Sequence, residues 1–330
     1  MIRLGTLGSG WIVDCFLEGM RAVPELTHSA VYSRTREKGE AFATKHGLTP
    51  DAVWIDLEKM AASGTVDAVY IATPNRFHAE QAEVFLRRGI HVICEKPAAV
   101  TPAELLRLHT LAKEQGVIFM EAIMALHQPR FALLKEAMGK IGNITAAEFN
   151  FSQLSSKYPA LVRGEQPNIF NPALCTGGLM DIGVYDVYLA AALFGRPEQI
   201  VSTAHFLPGG ADGLGYVLLR YPWGICALNW SKVAQSRVGS EILGDKGTIT
   251  FAPVSRMLDM TLWHTDGSSE LLFGQESHAE SMGHEAADFA RYIQYPDESA
   301  AEYEQMLETS MLVAEMMAEI RGQCGIVFER

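Results

Sequence analysis

The sequence predicts an α/β fold: a doubly wound parallel sheet over residues 1–123, then an α+β domain with an open, mostly antiparallel sheet over residues 124–330. Three observations predict it. Apolar runs alternate with amphipathic helical stretches as far as residue 123, the rhythm of successive βαβ units. Those runs are continuous, as in Ala68-Val69-Tyr70-Ile71-Ala72, which suits strands buried on both faces. After about residue 140 strand candidates follow one another directly, separated by turn signals such as Pro208-Gly209-Gly210 and Gly244-Asp245-Lys246-Gly247.

Residues 2–7 read as a short buried strand, Gly8-Ser9-Gly10 turns the chain, and 11–20 has helical periodicity. Strand and helix then pair at 28–32 with 35–46, at 68–72 with 78–88, and at 91–94 with 102–115, and a strand at 117–120 closes the series. In the second domain, strands are expected at 144–151, 200–206, 215–221, 225–230, 239–243, 247–251 and 260–264. Helices are expected at 181–193, 279–294 and 301–321.

Composition narrows the function classes. A chain of 330 residues with 48% hydrophobic content can fill two cores. A formal charge of −12, with no basic run interleaved with aromatics, argues against a nucleic-acid partner. Cys15, Cys94, Cys175, Cys226 and Cys324 lack metal-ligand or CxxC spacing, and an odd number cannot all pair internally, so reduced thiols are expected and no metal. No stretch is read as a membrane span or a secretory leader, which makes the cytoplasm the expected address.

Gly8-Ser9-Gly10 gains meaning from its place between a strand and a helix, since 29 glycines should produce about two or three GxG triplets by chance. Gly213-Leu214-Gly215 is another such triplet. Glycine lets the backbone approach a pyrophosphate, and the first free N–H groups of the helix, at Trp11 and Ile12, then face its charge. Val13 stands where the dinucleotide fingerprint expects Gly or Ala. An ordinary strand-to-helix turn is the plain alternative.

In a doubly wound sheet, ligands gather at the carboxyl ends of the strands. Ser33-Arg34, Thr73-Pro74-Asn75 and Glu95-Lys96-Pro97 each fall just after a predicted strand, with His78 starting the helix that follows the second of them. Ser33 and Arg34 stand 23 and 24 residues beyond Gly10, where an NAD-selective site carries an acid. A hydroxyl and a guanidinium suit a 2′-phosphate instead, with Arg36 and Lys38 adding charge, so NADP is favoured over NAD. Arg34 stacked on an adenine, or a solvated basic turn, is the alternative.

The order GxG, Ser-Arg, Thr-Pro-Asn-x-x-His (73–78), Glu-Lys-Pro and Gly-Gly-x-x-x-Asp-x-Gly-x-Tyr (177–185) resembles the glucose-fructose oxidoreductase, inositol dehydrogenase and MocA family. The resemblance covers nearly the whole chain. The tyrosine ending of the last motif, and Glu121-Ala122-Ile123, are similar to the branch containing dimeric dihydrodiol dehydrogenase. It implies an amino-terminal Rossmann domain, a carboxyl-terminal domain whose open sheet makes oligomer contacts, and a cis bond at Lys96–Pro97. It also implies Lys96 as the catalytic residue beside nicotinamide and substrate, completed by Asp181 and Tyr185.

Elementary chemistry agrees with those roles. Taking hydride from a carbinol carbon also requires removal of the hydroxyl proton, a task for Lys96. Asp181 and Tyr185, four apart on a helix, share one face: Tyr185 meets the reacting oxygen and Asp181 a neighbouring hydroxyl. Gly177-Gly178 lets the backbone pass close to the ligand. Lys157, Asn229 and Trp230 are weaker substrate candidates. The expected partner is a small sugar-like, polyol or diol molecule. A homodimer or larger homo-oligomer is expected to form by covering a sheet face that carries Leu228 and Trp230. Leu126 and His127-Gln128 depart from the family pattern of an arginine and an aromatic pair, which leaves the substrate open. Two other readings stand beside the oxidoreductase: a non-catalytic NAD(P)-binding sensor, and a redox-neutral glycosidase-like enzyme with bound NAD.

Overall fold

The computed structural model describes residues 1–328. The chain divides into two compact units, Met1–Ala122 with Ser277–Met311, and Ile123–Glu276 with the residues from Leu312 on.

The first unit is built on β1 (Ile2–Leu7), β2 (Leu26–Tyr32), β3 (Val53–Trp54), β4 (Ala68–Ile71), β5 (His91–Glu95) and β6 (Phe119–Ala122). They pair in parallel in the order β3-β2-β1-β4-β5-β6, which is the doubly wound order with its switch point between β1 and β4. The connecting helices are α1 (Trp11–Met20), α2 (Arg36–Lys45), α3 (Leu57–Ala62), α4 (His78–Leu86) and α5 (Pro102–Gln115). Local sequence sets their ends. Thr101 and Glu104 form a capping box at the start of α5, and Gly116 ends it with a left-handed φ of 66°. Strand β3 escaped the sequence reading because two residues carry no period.

The second unit begins with α6 (Pro129–Met138), β7 (Ile144–Ser152), α7 (Tyr158–Val162) and α8 (Val184–Phe194), the last preceded by a π-helical turn at Leu179–Gly183. Strands β8 (Gln199–Phe206), β9 (Asp212–Tyr221), β10 (Gly224–Ser231), β11 (Ser240–Gly244), β12 (Gly247–Ala252), β13 (Leu258–His264) and β14 (Ser269–Phe273) follow. The sheet order is β14-β13-β12-β11-β7-β10-β9-β8, antiparallel except for the parallel β7–β10 pair. The π turn and α8 cover one face of this sheet. Leu228 and Trp230 lie under that cover, at 0% and 1% exposure, so the oligomer argument attached to them fails: this chain already buries them. Although no membrane span is expected from the sequence, the stretch Pro172–Phe194 is long and apolar enough to be one; 72% of its most apolar window is buried inside the protein. Among the described residues no cysteines are joined in a disulfide.

The chain then returns to the first unit. Helix α9 (His278–Gln294) and the first half of α10 (Pro296–Cys324) belong there, although the sequence reading gave everything after residue 123 to the second domain. The reason is a close helix crossing. A Cβ on Gly19 of α1 would lie 2.2 Å from the Ala279 carbonyl oxygen and 2.7 Å from the Gly283 nitrogen, so α1 and α9 meet backbone to backbone. Periodicity reveals a helix but not its packing partner. Tyr303 of α10 closes the sheet edge: its Oη accepts from Phe119 N at 3.0 Å and donates to Phe119 O at 2.9 Å.

Burial in the first unit makes two histidines acid-sensitive. His28 and His109 are each pushed down to about 4 from an ordinary 6.5 by desolvation, with His46 adding to the effect at His28. Below pH 6.5 the unfolded chain takes up protons that the folded chain refuses until about pH 4. Stability is therefore full above 6.5 and falls across that window by up to about 3 kcal/mol per histidine. Urea-midpoint measurements from pH 7 to 4 should show this loss, and the His28→Gln, His109→Gln double variant should flatten it; an unchanged slope would refute the assignment.

Candidate active site

In the first unit the predicted polar clusters converge at the carboxyl ends of β1, β2, β4 and β5. Gly8 has φ of 114°, and a Cβ there would stand 2.7 Å from the Ala72 carbonyl oxygen, so only glycine fits the turn after β1. Gly10 is the N-cap of α1, no side chain caps that end, and a Cβ on Gly10 would meet nothing within 4 Å. Open space before uncapped N–H groups is what a pyrophosphate needs. Val13, in place of the third glycine, is fully buried and packs beneath the Gly8 turn. Trp11 is exposed, its ring 5.3 Å from that of His278. Ile12 is half-buried.

After β2, Ser33 is 7% exposed and its N–H donates to Trp54 O at 2.9 Å, whereas Arg34 is exposed. Of the two, Arg34 is the side chain that this turn presents to solvent. Thr73, Pro74 and Asn75 are half-buried after β4, and the Thr73 hydroxyl donates to Gln81 Oε1 at 2.6 Å.

The turn after β5 is pinned from three sides. Tyr70 Oη donates to Glu95 Oε1 at 2.5 Å, Ala98 N donates to Glu121 Oε1 at 2.8 Å, and His78 Nδ1 lies 2.9 Å from Pro97 O. Glu121 is itself held by Ser310 Oγ at 2.5 Å. The Lys96–Pro97 bond is cis. His78 Nε2 is also 2.6 Å from Thr73 O, so one imidazole ties the turn after β4 to the turn after β5. With 1% exposure and a carbonyl oxygen close to each ring nitrogen, His78 is placed as a brace between the two turns. Desolvation lowers the His78 pKa, while the carbonyls of Pro97 and Thr73 oppose that shift and the Lys96 charge adds to it.

Glu285 of α9 was not singled out from sequence. It is 1% exposed, and neither carboxylate oxygen has a hydrogen-bond partner among the described residues. Burial pushes its pKa well above the carboxylate range, the Glu95 charge adds to that, and Lys96 opposes it. An acid on the helix face formed by Met282, Ala286 and Phe289 was the available signal.

In the second unit, Asp181 and Tyr185 are the two residues between Leu179 and Ala191 that are not buried, so they share a face as expected. The intervening π-helical turn is a feature common at functional sites. Its start is fixed by Asp212, whose Oδ2 accepts from Leu179 N at 2.7 Å and from Trp230 Nε1 at 2.9 Å. The motif glycines make room for this indole. A Cβ would lie 2.7 Å from the ring on Gly178, 3.0 Å on Gly183 and 2.2 Å on Gly215, and one on Gly177 would lie 2.1 Å from Asp212 Oδ1. The Gly-Gly pair thus serves core packing, not the approach of a ligand.

Trp230 is enclosed and cannot line a substrate cleft. Asn229, one residue away on β10, faces the opposite side of the sheet, because strand side chains alternate. Neither keeps its substrate assignment. Lys157 is exposed at the start of α7. Lys232, which sequence reasoning missed, places Nζ 2.6 Å from Asp181 Oδ2. Among the described residues no group of three or more His, Cys, Asp or Glu side chains is arranged to hold a metal.

Known proteins resemble this chain over much or most of its length. The Gfo/Idh/MocA oxidoreductase family, with its NAD-binding Rossmann fold, matches residues 2–123, and the family's C-terminal domain matches residues 134–250. The scyllo-inositol 2-dehydrogenase (NADP(+)) IolU of Bacillus subtilis is 38% identical over 328 residues, 99% of this chain and 98% of that protein. The trans-1,2-dihydrobenzene-1,2-diol dehydrogenase of Mus musculus is 32% identical over 230 residues, 68% of this chain and 66% of that one. KijD10, a 3-ketoreductase from Actinomadura kijaniata crystallised with NADP and TDP-benzene, has the same fold with a TM-score of 0.83 at 22% identity, covering 98% of both chains. The chain belongs to the Gfo/Idh/MocA family of NAD(P)-dependent oxidoreductases.

Proposed function

We propose that the protein is an NADP-preferring dehydrogenase that interconverts a secondary alcohol and its ketone on a ring bearing adjacent hydroxyls. The observation that carries this reading is the pinned Glu95–Ala98 turn, which fixes the backbone on either side of Lys96 at the same sheet end as the uncapped start of α1. The substrate class is supported by the two curated relatives, since inositol and dihydrobenzene diol both carry vicinal hydroxyls on a six-membered ring. The cofactor preference is supported by the exposed Arg34 where an acid would select NAD, and by the NADP dependence named for IolU.

The residues suit these tasks. The N–H groups of Trp11 and Ile12 face a pyrophosphate, Arg34 pairs with a 2′-phosphate, and Asn75 lies near the ring-bearing end. Bound nicotinamide would supply the hydride acceptor. Lys96 takes the hydroxyl proton as the carbinol carbon gives up hydride, Tyr185 hydrogen-bonds the same oxygen, and Asp181 accepts from the neighbouring hydroxyl.

We also infer self-association through the open face of the second sheet. Val201, Tyr216, Leu218 and Ile225 stand 53%, 58%, 49% and 48% exposed on adjacent strands. That apolar face is the reverse of the one carrying Leu228 and Trp230.

Nicotinamide absorbance with NADP or NAD against a panel of inositols, diols and sugars tests the activity; cofactor binding with no turnover of any member would favour a sensor. Lys96→Ala should lower kcat at least about 100-fold while leaving cofactor affinity nearly unchanged. Arg34→Ala should weaken NADP binding about 10- to 100-fold and NAD binding far less. Sedimentation should give a dimer or larger, and Leu218→Arg should shift it toward monomer.

A further inference from the structure

Lys232 directly follows β10, and its backbone is fixed there: its N–H donates to Gly213 O at 2.8 Å and its carbonyl accepts from Ser155 N at 2.9 Å. The side chain runs inward. It is 10% exposed and places Nζ 2.6 Å from Oδ2 of Asp181, whose own side chain is 27% exposed. Burying an ammonium and a carboxylate together is at best weakly stabilising, because desolvation consumes most of the attraction. Folding alone therefore gives little reason for this pair. Its location gives one, because Asp181 is one of the two positions between Leu179 and Ala191 that are not buried.

A second carboxylate stands behind it. Asp212 is fully buried beneath the π turn, fixed by Leu179 N and Trp230 Nε1, and its charge interacts with that of Asp181. Like charges this close repel. The Lys232 ammonium on Oδ2 offsets the repulsion and limits how the Asp181 carboxylate can rotate. A lysine reaching in from the sheet thus fixes a carboxylate presented by the helix.

We propose that Lys232 is a positioning residue: it holds Asp181 by one carboxylate oxygen so that Asp181 reads the hydroxyl adjacent to the carbinol being oxidised, making the pair a determinant of vicinal-diol specificity. The inference rests on the reaction proposed above and adds to it the residue that sets substrate preference. A site that hydrogen-bonds a substrate hydroxyl discriminates strongly against the analogue lacking it.

The test compares kcat/KM for inositol or trans-cyclohexane-1,2-diol with that for cyclohexanol, in wild type, Lys232→Met, Lys232→Arg, Asp181→Asn and the Lys232→Met, Asp181→Asn double variant. Lys232→Met should reduce the diol-to-alcohol preference about 10- to 100-fold, mainly through a higher KM for the diol, and Lys232→Arg should retain most of it. In the Asp181→Asn background, Lys232→Met should cost less than about 3-fold more, since the two residues act as one unit. A Lys232→Met variant that loses both substrates equally, or losses that multiply in the double variant, would overturn the inference. If Lys232→Met does not fold, an Arg variant with wild-type KM but altered preference overturns it as well. Wild-type protein that turns over no vicinal diol would instead overturn the proposed reaction, and this inference with it.

Discussion

The first unit depends on the turn from Glu95 to Ala98 being held in one conformation. Hydrogen bonds from Tyr70 on β4, from Ala98 N to Glu121 on β6, and from His78 on α4 reach it from three different elements. A lysine on a mobile loop would spend its interaction energy on being ordered; one on a braced turn has already met that entropic cost during folding. The same brace couples neighbouring loops. Because His78 also meets Thr73 O, any movement of the Pro97 carbonyl disturbs the turn after β4. Sheet topology makes this possible, since β4 and β5 are neighbours and their carboxyl ends emerge side by side.

The second unit solves the corresponding problem with bulk rather than hydrogen bonds. Trp230 fills the space between sheet and helix, and Gly178, Gly183 and Gly215 lie so close to the indole that a Cβ at any of them would stand 3.0 Å or less from it. Asp212 then bonds both the indole nitrogen and the first residue of the π turn. A wide turn started in this way places Asp181 and Tyr185 outward while Leu179, Met180, Ile182 and Val184 go inward.

Much of this was legible in the sequence, and what was missed has a physical cause. The parallel sheet and its order of motifs could be read because continuous apolar strands and strand-end glycines are local signals. The Asp181 and Tyr185 pairing could be read because helical spacing fixes a shared face. Long-range packing could not. Nothing local in residues 278–294 says that the helix lies on α1 rather than in the second unit, because the close approach of Gly19 and Gly283 is a property of two distant segments. Asn229 and Trp230 were grouped by adjacency, although strand alternation sends them to opposite faces, and which face α8 covers is decided by tertiary structure. His78 was legible as important but not as a brace, since burial cannot be seen from one strand end. Lys232 looked like an ordinary lysine after a strand until the fold brought Asp181, 51 positions earlier in sequence, to its ammonium.

The two units share an electrostatic arrangement. Behind Lys96 and Glu95 lies the buried acid Glu285, and behind Asp181 lies the buried acid Asp212; burial pushes the pKa of both acids up. A buried carboxyl group is expensive to ionise, because the surrounding apolar side chains cannot replace the water that would stabilise its charge. The two acids differ in what holds them: Asp212 accepts from Leu179 N and from the Trp230 indole and so fixes the start of the π turn, whereas Glu285 lies on the helix face formed by Met282, Ala286 and Phe289.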